Sequence, residues 1–193
     1  MSSHPSPHTG SPTRPLITHV VGVVGGMGPA AGADFVAKFV QACTSLMVER
    51  GIAVVDQHFP EHWLVQSPIP DRTAGLLAAA DEAALPLQGM LQAVARLAAL
   101  GVRFVAIACN TAHAWHAQIQ ARFPNVEVLH VAQEVAAHLR AAGIARTGLL
   151  ATRGTYAAGV YQQWFSEPGY ITISRTASHT FQMRVAVTEL ERR

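Results

Sequence analysis

Five short apolar runs punctuate the chain: VVGVVGG (20–26), IAVVD (52–56), RFVAIAC (103–109), VEVLHV (126–131) and TGLLAT (147–152). Runs of this length, apolar nearly throughout instead of alternating, fit strands buried on both faces of a parallel sheet. Between them, residues 30–49, 82–100, 112–122 and 132–142 return apolar side chains every three or four positions, the period of an amphipathic helix. Gly51, Gly101 and Gly143 stand just past three of these stretches, where glycine most easily ends a helix. Strand alternating with helix predicts a doubly wound α/β fold.

The pattern also repeats. GVVGGMGP (22–29) has the outline of GLLATRGT (148–155): a glycine, small or apolar residues, a turn, a second glycine and then a helix. Two related α/β halves with parallel sheets are expected, the first over 16–131 and the second over 132–193. If the halves are alike, the counterpart of Cys109 would fall near residue 235, beyond Arg193, so the second domain is expected to be incomplete. Its roughly 60 residues are close to the size at which an isolated core becomes marginal. Exposed apolar surface and either self-association, for example as a homodimer, or low solubility are the expected consequences. Residues 1–15, MSSHPSPHTGSPTRP, carry four prolines and little to bury, and are expected to form a disordered tail.

Composition narrows the function classes. At 50% hydrophobic and 13% charged, the chain as a whole is too apolar for intrinsic disorder. The net charge of +2 is spread without a Lys/Arg cluster, so no nucleic-acid partner is expected. No run approaches the roughly 18 apolar residues of a membrane span, and the N-terminus lacks a secretory pattern. No membrane partner and a cytoplasmic location are expected. The two cysteines, Cys43 and Cys109, form no CxxC pattern, which argues against a disulfide framework or zinc knuckle.

The candidate chemistry centres on VAIACNTAH (105–113), where a buried strand runs into Cys109, Asn110 and Thr111. Open parallel sheets place ligands at the carboxyl ends of strands, beside helix N-termini. The free N–H groups there favour an anion, whether a thiolate or a bound carboxylate. A buried structural cysteine with an ordinary Asn/Thr cap explains the same residues equally well. Cys43 falls on the helical series Phe35, Phe39, Cys43, Met47 and reads as core filler.

Other segments carry weaker signals. GGMGPAA (25–31) has a GxGxxA spacing after a strand, and Asp56 ends the next apolar run, as a dinucleotide site requires. Pro29 removes an N–H that a pyrophosphate would want, and a glycine turn beside a smaller anion fits as well. Arg72, in IPDRT (69–73) and outside the helical stretches, offers a planar fork suited to a carboxylate, although a solvated surface arginine is the commoner case. Cys109, His113 and His116 could face a metal from one turn, yet no fourth ligand stands nearby in the sequence, and no metal is expected. His58 and His62 are separated by Pro60 and read as loop residues.

GVVGGMGP, IPDRT, ACNTAH and GLLATRGT occur in order and at natural spacing, and over about residues 17–167 the chain resembles the aspartate/glutamate racemase family. The resemblance implies a cofactor-independent isomerase of two pseudosymmetric α/β domains, with a small acidic amino acid bound between them. In that family one cysteine removes the Cα proton and a second returns one from the opposite face. Cys109 would be the acid/base of the first domain, and Asn110 and Thr111 would bind the α-carboxylate. Arg72 would recognise the side-chain carboxylate. The turn at Gly26 and Met27 and the loop at Thr152 and Thr155 would line the cleft.

After about Glu167 the likeness fades, and the Gly-Cys-Thr-Glu segment that carries the second cysteine has no counterpart here. The expectation is therefore a C-terminally truncated racemase with one base of two, impaired or inactive in this form. A small-dicarboxylate-binding remnant without catalysis is the alternative, followed by an NAD(P)-dependent oxidoreductase using the glycine turn.

Overall fold

A computed structural model describes residues 16, 18–77, 80–144, 146–165 and 171–176. The expected tail, residues 1–15, and residues 166–170 and 177–193 lie outside the described residues. Strand β1 (Val21–Gly25) leads into helix α1 (Pro29–Glu49), and β2 (His62–Gln66) is followed by α2 (Arg72–Leu77) and α3 (Ala80–Ala99). After β3 (Phe104–Ile107), a 3-10 turn (Thr111–Trp115) continues as α4 (His116–Arg122), then β4 (Glu127–Val128) and α5 (Val131–Ala141). Next come β5 (Arg146–Ala151), α6 (Arg153–Ala157), a 3-10 turn at Gln162–Trp164 and β6 (Ile171–Thr176).

The first four strands form one parallel sheet in the order β2-β1-β3-β4. β1 is central, with Val21 registered against His62 on one side and Phe104 on the other. The chain passes from β1 to β2 on one side and then crosses back over β1 to β3 on the other, so the order reverses between β1 and β3. Such a switch point leaves a crevice beyond the strands' carboxyl ends. β5 and β6 form a separate parallel pair, registered from Arg146↔Ile171 to Ala151↔Thr176. The fold is thus α/β with parallel sheets, and among the described residues the second sheet has two strands to the first sheet's four.

Burial follows the pattern of the sequence. All five residues of β1 are buried, and Met90, Val94 and Leu97 of α3 close over Val24, Val105 and Ile107. Gly22 is required by this packing: a methyl group there would lie 2.9 Å from both Leu97 and Val102. A second cluster gathers Ala132, Ala136 and Leu139 of α5 with Leu149, Val160, Tyr161 and Phe165. Cys43 is buried on α1, in keeping with a core-filling role, and burial pushes its thiol pKa up.

Several expectations are corrected. Residues 52–55 are irregular and Asp56–His58 form a 3-10 turn, while β2 lies ten residues further along at His62–Gln66. The apolar run is used to end α1, with Ile52 N–H donating to Met47 O at 2.8 Å and Val54 and Val55 exposed. A short apolar run looks the same whether it pairs or docks. His62 accordingly opens a strand, and His58 is buried with its Nδ1–H donating to Ala53 O at 2.6 Å. Arg72 is the first residue of α2, not a loop residue. The strand expected over 126–131 pairs only at Glu127 and Val128, and the helix after Cys109 opens as 3-10.

Candidate functional site

Cys109 sits two residues beyond the last residue of β3, half-buried against the first core cluster. Ala108 N–H still donates to Val24 O at 2.9 Å, which keeps the chain on the β1 edge of the switch point. Cys109 N–H then turns back onto Ile107 O at 2.8 Å. The sharp exit from the sheet is braced from behind by His113, whose Nδ1–H donates to Cys109 O at 2.9 Å and Asn110 O at 3.3 Å. Burial pushes the His113 pKa down to about 4, so at neutral pH the imidazole is an uncharged brace.

His113 is one of three clustered imidazoles. His130 lies 5.1 Å from His113 and 4.8 Å from His116, ring centre to ring centre, and Trp164 of the second half lies 5.3 Å from His130. Burial and the neighbouring imidazoles push His130 down to about 4 as well. His116 Nε2–H donates to Val128 O at 2.6 Å. Among the described residues, no group of three or more His, Cys, Asp or Glu is placed to hold a metal ion. Nor is any described helix long and apolar enough to cross a membrane.

Asn110 and Thr111 face the second half. Thr111 Oγ1 lies 2.9 Å from Thr152 Oγ1 and 2.8 Å from Thr155 Oγ1, and the latter two are 3.1 Å apart. Thr152 caps α6, accepting from Thr155 N–H at 3.3 Å. The three hydroxyls form a closed triangle, in which each can donate to the next. A ligand carboxylate drawing on one of these donors would have to open the ring. Tyr161 adds a second tie across the seam, its O–H donating to Asn110 Oδ1. Gly154 permits the close approach: a methyl group there would meet Thr73 Oγ1 at 2.7 Å and Thr111 Cγ2 at 2.9 Å.

Met27 and Arg72 meet on the β1 side. Gly26, at φ +90°, makes the turn after β1, and a side chain there would strike Ser67 O at 2.1 Å. Met27 is buried in the first core cluster, and its carbonyl accepts from Arg72 Nη2 at 2.6 Å. Arg72 Nη1 donates to Ile69 O and Pro70 O, each at 3.0 Å. Its Nε is buried and has no hydrogen-bond partner among the described residues. Three carbonyls thus hold the guanidinium at the strand ends through three of its five N–H groups, and the buried Nε–H is left unmatched.

Five of the seven residues singled out from the sequence are therefore bonded to others of the set. Asn110, Thr111, Thr152 and Thr155 converge from two halves beside Cys109, and Met27 is bonded to Arg72. The Tyr161 tie and the histidine cluster were not anticipated. Tyr161 is 51 positions from Asn110 and His130 is 17 from His113, separations that carry no local periodicity. A cavity of about 430 Å³, lined by Val102, Arg103, Arg122, Phe123 and Asn125, lies at the amino end of β3, the wrong end for this chemistry.

An open parallel sheet with a thiol just beyond the strand end at its switch point defines the class: an α/β protein of the kind that binds ligands at the carboxyl ends of its strands. The family model for Asp/Glu/Hydantoin racemase matches residues 24–193, and the chain belongs to that family. Broad specificity amino-acid racemase RacX of Bacillus subtilis is 26% identical over 147 residues, covering 75% of this chain and 59% of its own. Picrophilus torridus aspartate racemase superposes with a TM-score of 0.61 at 25% identity, covering 81% of this chain and 62% of that one. An aspartate racemase homologue from Pyrococcus horikoshii shares the fold with a TM-score of 0.63 at 19% identity, over 82% and 65% of the two chains. The chain thus spans about three fifths of the length of these relatives. The dinucleotide reading loses its support, because Asp56 ends no strand and the glycine turn belongs to a racemase fold.

Proposed function

We propose that the cleft beside Cys109 binds a small acidic amino acid and that Cys109 exchanges its Cα proton, one face of an aspartate/glutamate racemisation. The observation that carries this reading is that Thr152 and Thr155 of the second half meet Thr111, two residues beyond a half-buried thiol at a sheet switch point, while Tyr161 meets Asn110 between them. Asn110 Nδ2 and the first-turn N–H groups beyond Cys109 supply donors for an α-carboxylate. The Arg72 guanidinium, fixed by three carbonyls and with no carboxylate partner among the described residues, favours a second carboxylate and so a dicarboxylate substrate. The reaction needs no cofactor in this reading, and the protein works in the cytoplasm, where Cys109 stays reduced.

The chemistry is a balanced proton exchange. Cys109 thiolate takes the Cα proton, becoming a thiol and leaving a carbanion whose charge spreads onto the α-carboxylate. Hydrogen-bond donors fixed at that carboxylate stabilise the charge as it develops. The thiol exchanges its proton with solvent and returns one to the same face. Inversion requires a second acid on the opposite face, and the other cysteine of this chain, Cys43, is buried on α1.

Proton NMR of the 193-residue chain in D₂O, with L- and D-aspartate supplied separately, tests the reading. The expected result is loss of the α-proton signal from one enantiomer without inversion. Cys109→Ala should lower the rate by about 10²-fold or more, the usual contribution of an acid/base group. Binding of aspartate without exchange would leave a dicarboxylate-binding protein, and absence of both would overturn the assignment of the cleft.

A further inference from the structure

Asn110 occupies the N-cap of the 3-10 turn that opens at Thr111, yet its side chain makes no capping hydrogen bond. Its Oδ1 accepts instead from the hydroxyl of Tyr161 in the other half of the molecule. Tyr161 is 3% exposed, and among the described residues its O–H has no other acceptor. Turning the Asn110 amide over would leave a phenolic proton buried and unmatched, a larger penalty than a hydrogen bond between solvated groups is worth. The amide is thereby fixed with Nδ2 directed away from Tyr161, and no protein group among the described residues accepts from that Nδ2.

We propose that Tyr161 is a positioning residue, holding Asn110 so that its two Nδ2 hydrogens are presented to the substrate carboxylate. The inference rests on the reading of the cleft as an amino-acid site. The Tyr161 ring is packed in the second cluster, with Phe165 at 6.1 Å between ring centres and Val160 beside it, so the hydroxyl cannot follow a moving amide. The second half therefore supplies the orientation of a first-half donor adjacent to Cys109. A flexible Asn amide would sample both orientations until an anion selected Nδ2, whereas this one is set as a donor before ligand arrives.

Tyr161→Phe keeps the ring and removes only the hydroxyl. In the full chain, L-aspartate binding by calorimetry should weaken about tenfold, the effect of one lost hydrogen bond to a charged ligand's anchor. In an Asn110→Ala background the same substitution should have no further effect. In the free protein, the paired Nδ2 proton resonances of Asn110 should shift and broaden in Tyr161→Phe, while the melting transition stays cooperative. Equal weakening in the Asn110→Ala background, or an unchanged Asn110 amide signal, would overturn the positioning role while leaving the cleft assignment intact. A fixed Asn110 amide in a wild-type chain that binds no L-aspartate would instead overturn the cleft assignment, and with it the purpose given to Tyr161.

Discussion

Gly22 and Gly148 hold matching places in the two βα units, but a methyl group would lie 2.9 Å from Leu97 and Val102 at the first and meet nothing within 4 Å among the described residues at the second. The contrast extends along both strands. β1 is buried at every position, whereas β5 alternates, with Leu150 38% exposed. In the first half α1 and α3 close over a sheet with four strands; in the second, α5 packs on a described sheet of two. Both halves nonetheless meet at one seam beside Cys109, through Thr111 with Thr152 and Thr155 and through Asn110 with Tyr161. The difference teaches that the thiol's placement depends on a close-packed sheet, while its neighbours are oriented by the less buried half.

The largest effect that would sharpen this contrast is in the cores. Leu97→Ala should cost about 3–5 kcal/mol, because Leu97 is wholly buried between α3 and β1 and its neighbours cannot collapse around the gap. Leu139→Ala should cost about 2 kcal/mol, because Leu139 borders an existing gap among Val135, Leu149, Tyr161 and Phe165 that can relax. Urea unfolding measures both, and equal costs would erase the distinction between the halves.

Next comes pH. His113 and His130, at about 4 in the folded chain against an ordinary 6.5, take up protons more readily when the chain unfolds. Stability is therefore full above about pH 6.5 and declines as the pH falls toward 4, on the order of 3 kcal/mol for His113 alone. Because His130 lies against Trp164, the acid loss should include the seam between the halves, read as a red-shifted tryptophan emission. His113→Asn can still donate to the Cys109 carbonyl and should flatten the pH slope; an unchanged slope would remove His113 from its cause.

The smallest effects are the most direct comparison. Gly22→Ala should destabilise by about 1–3 kcal/mol through overpacking, and Gly148→Ala should stay within about 0.5 kcal/mol. A costly Gly148→Ala would mean that something packs against that face in solution.

Much of this organisation was legible in the sequence because it is local. The β1, β3 and β5 runs and the helices α1, α3 and α5 follow from period and glycine punctuation, and Cys109 could be placed at a strand's carboxyl end from the residues around it. IAVVD failed because an apolar run of five carries no information about its partner; β1 had one free edge there, and His62–Gln66 occupied it. Arg72 was recognisable as an unusual arginine, but its attachment to the Met27, Ile69 and Pro70 carbonyls depends on two loops meeting at the switch point.

By itself, then, the sequence determined the alternation of strand and helix, the repeat of the βα unit and the thiol at the end of β3, since each is written in neighbouring residues. Only the tertiary structure decided which hydroxyl faces which, that Tyr161 holds Asn110, and that three imidazoles stand together behind Cys109. Those contacts join residues up to 51 positions apart, and their partners are chosen by how the two sheets pack.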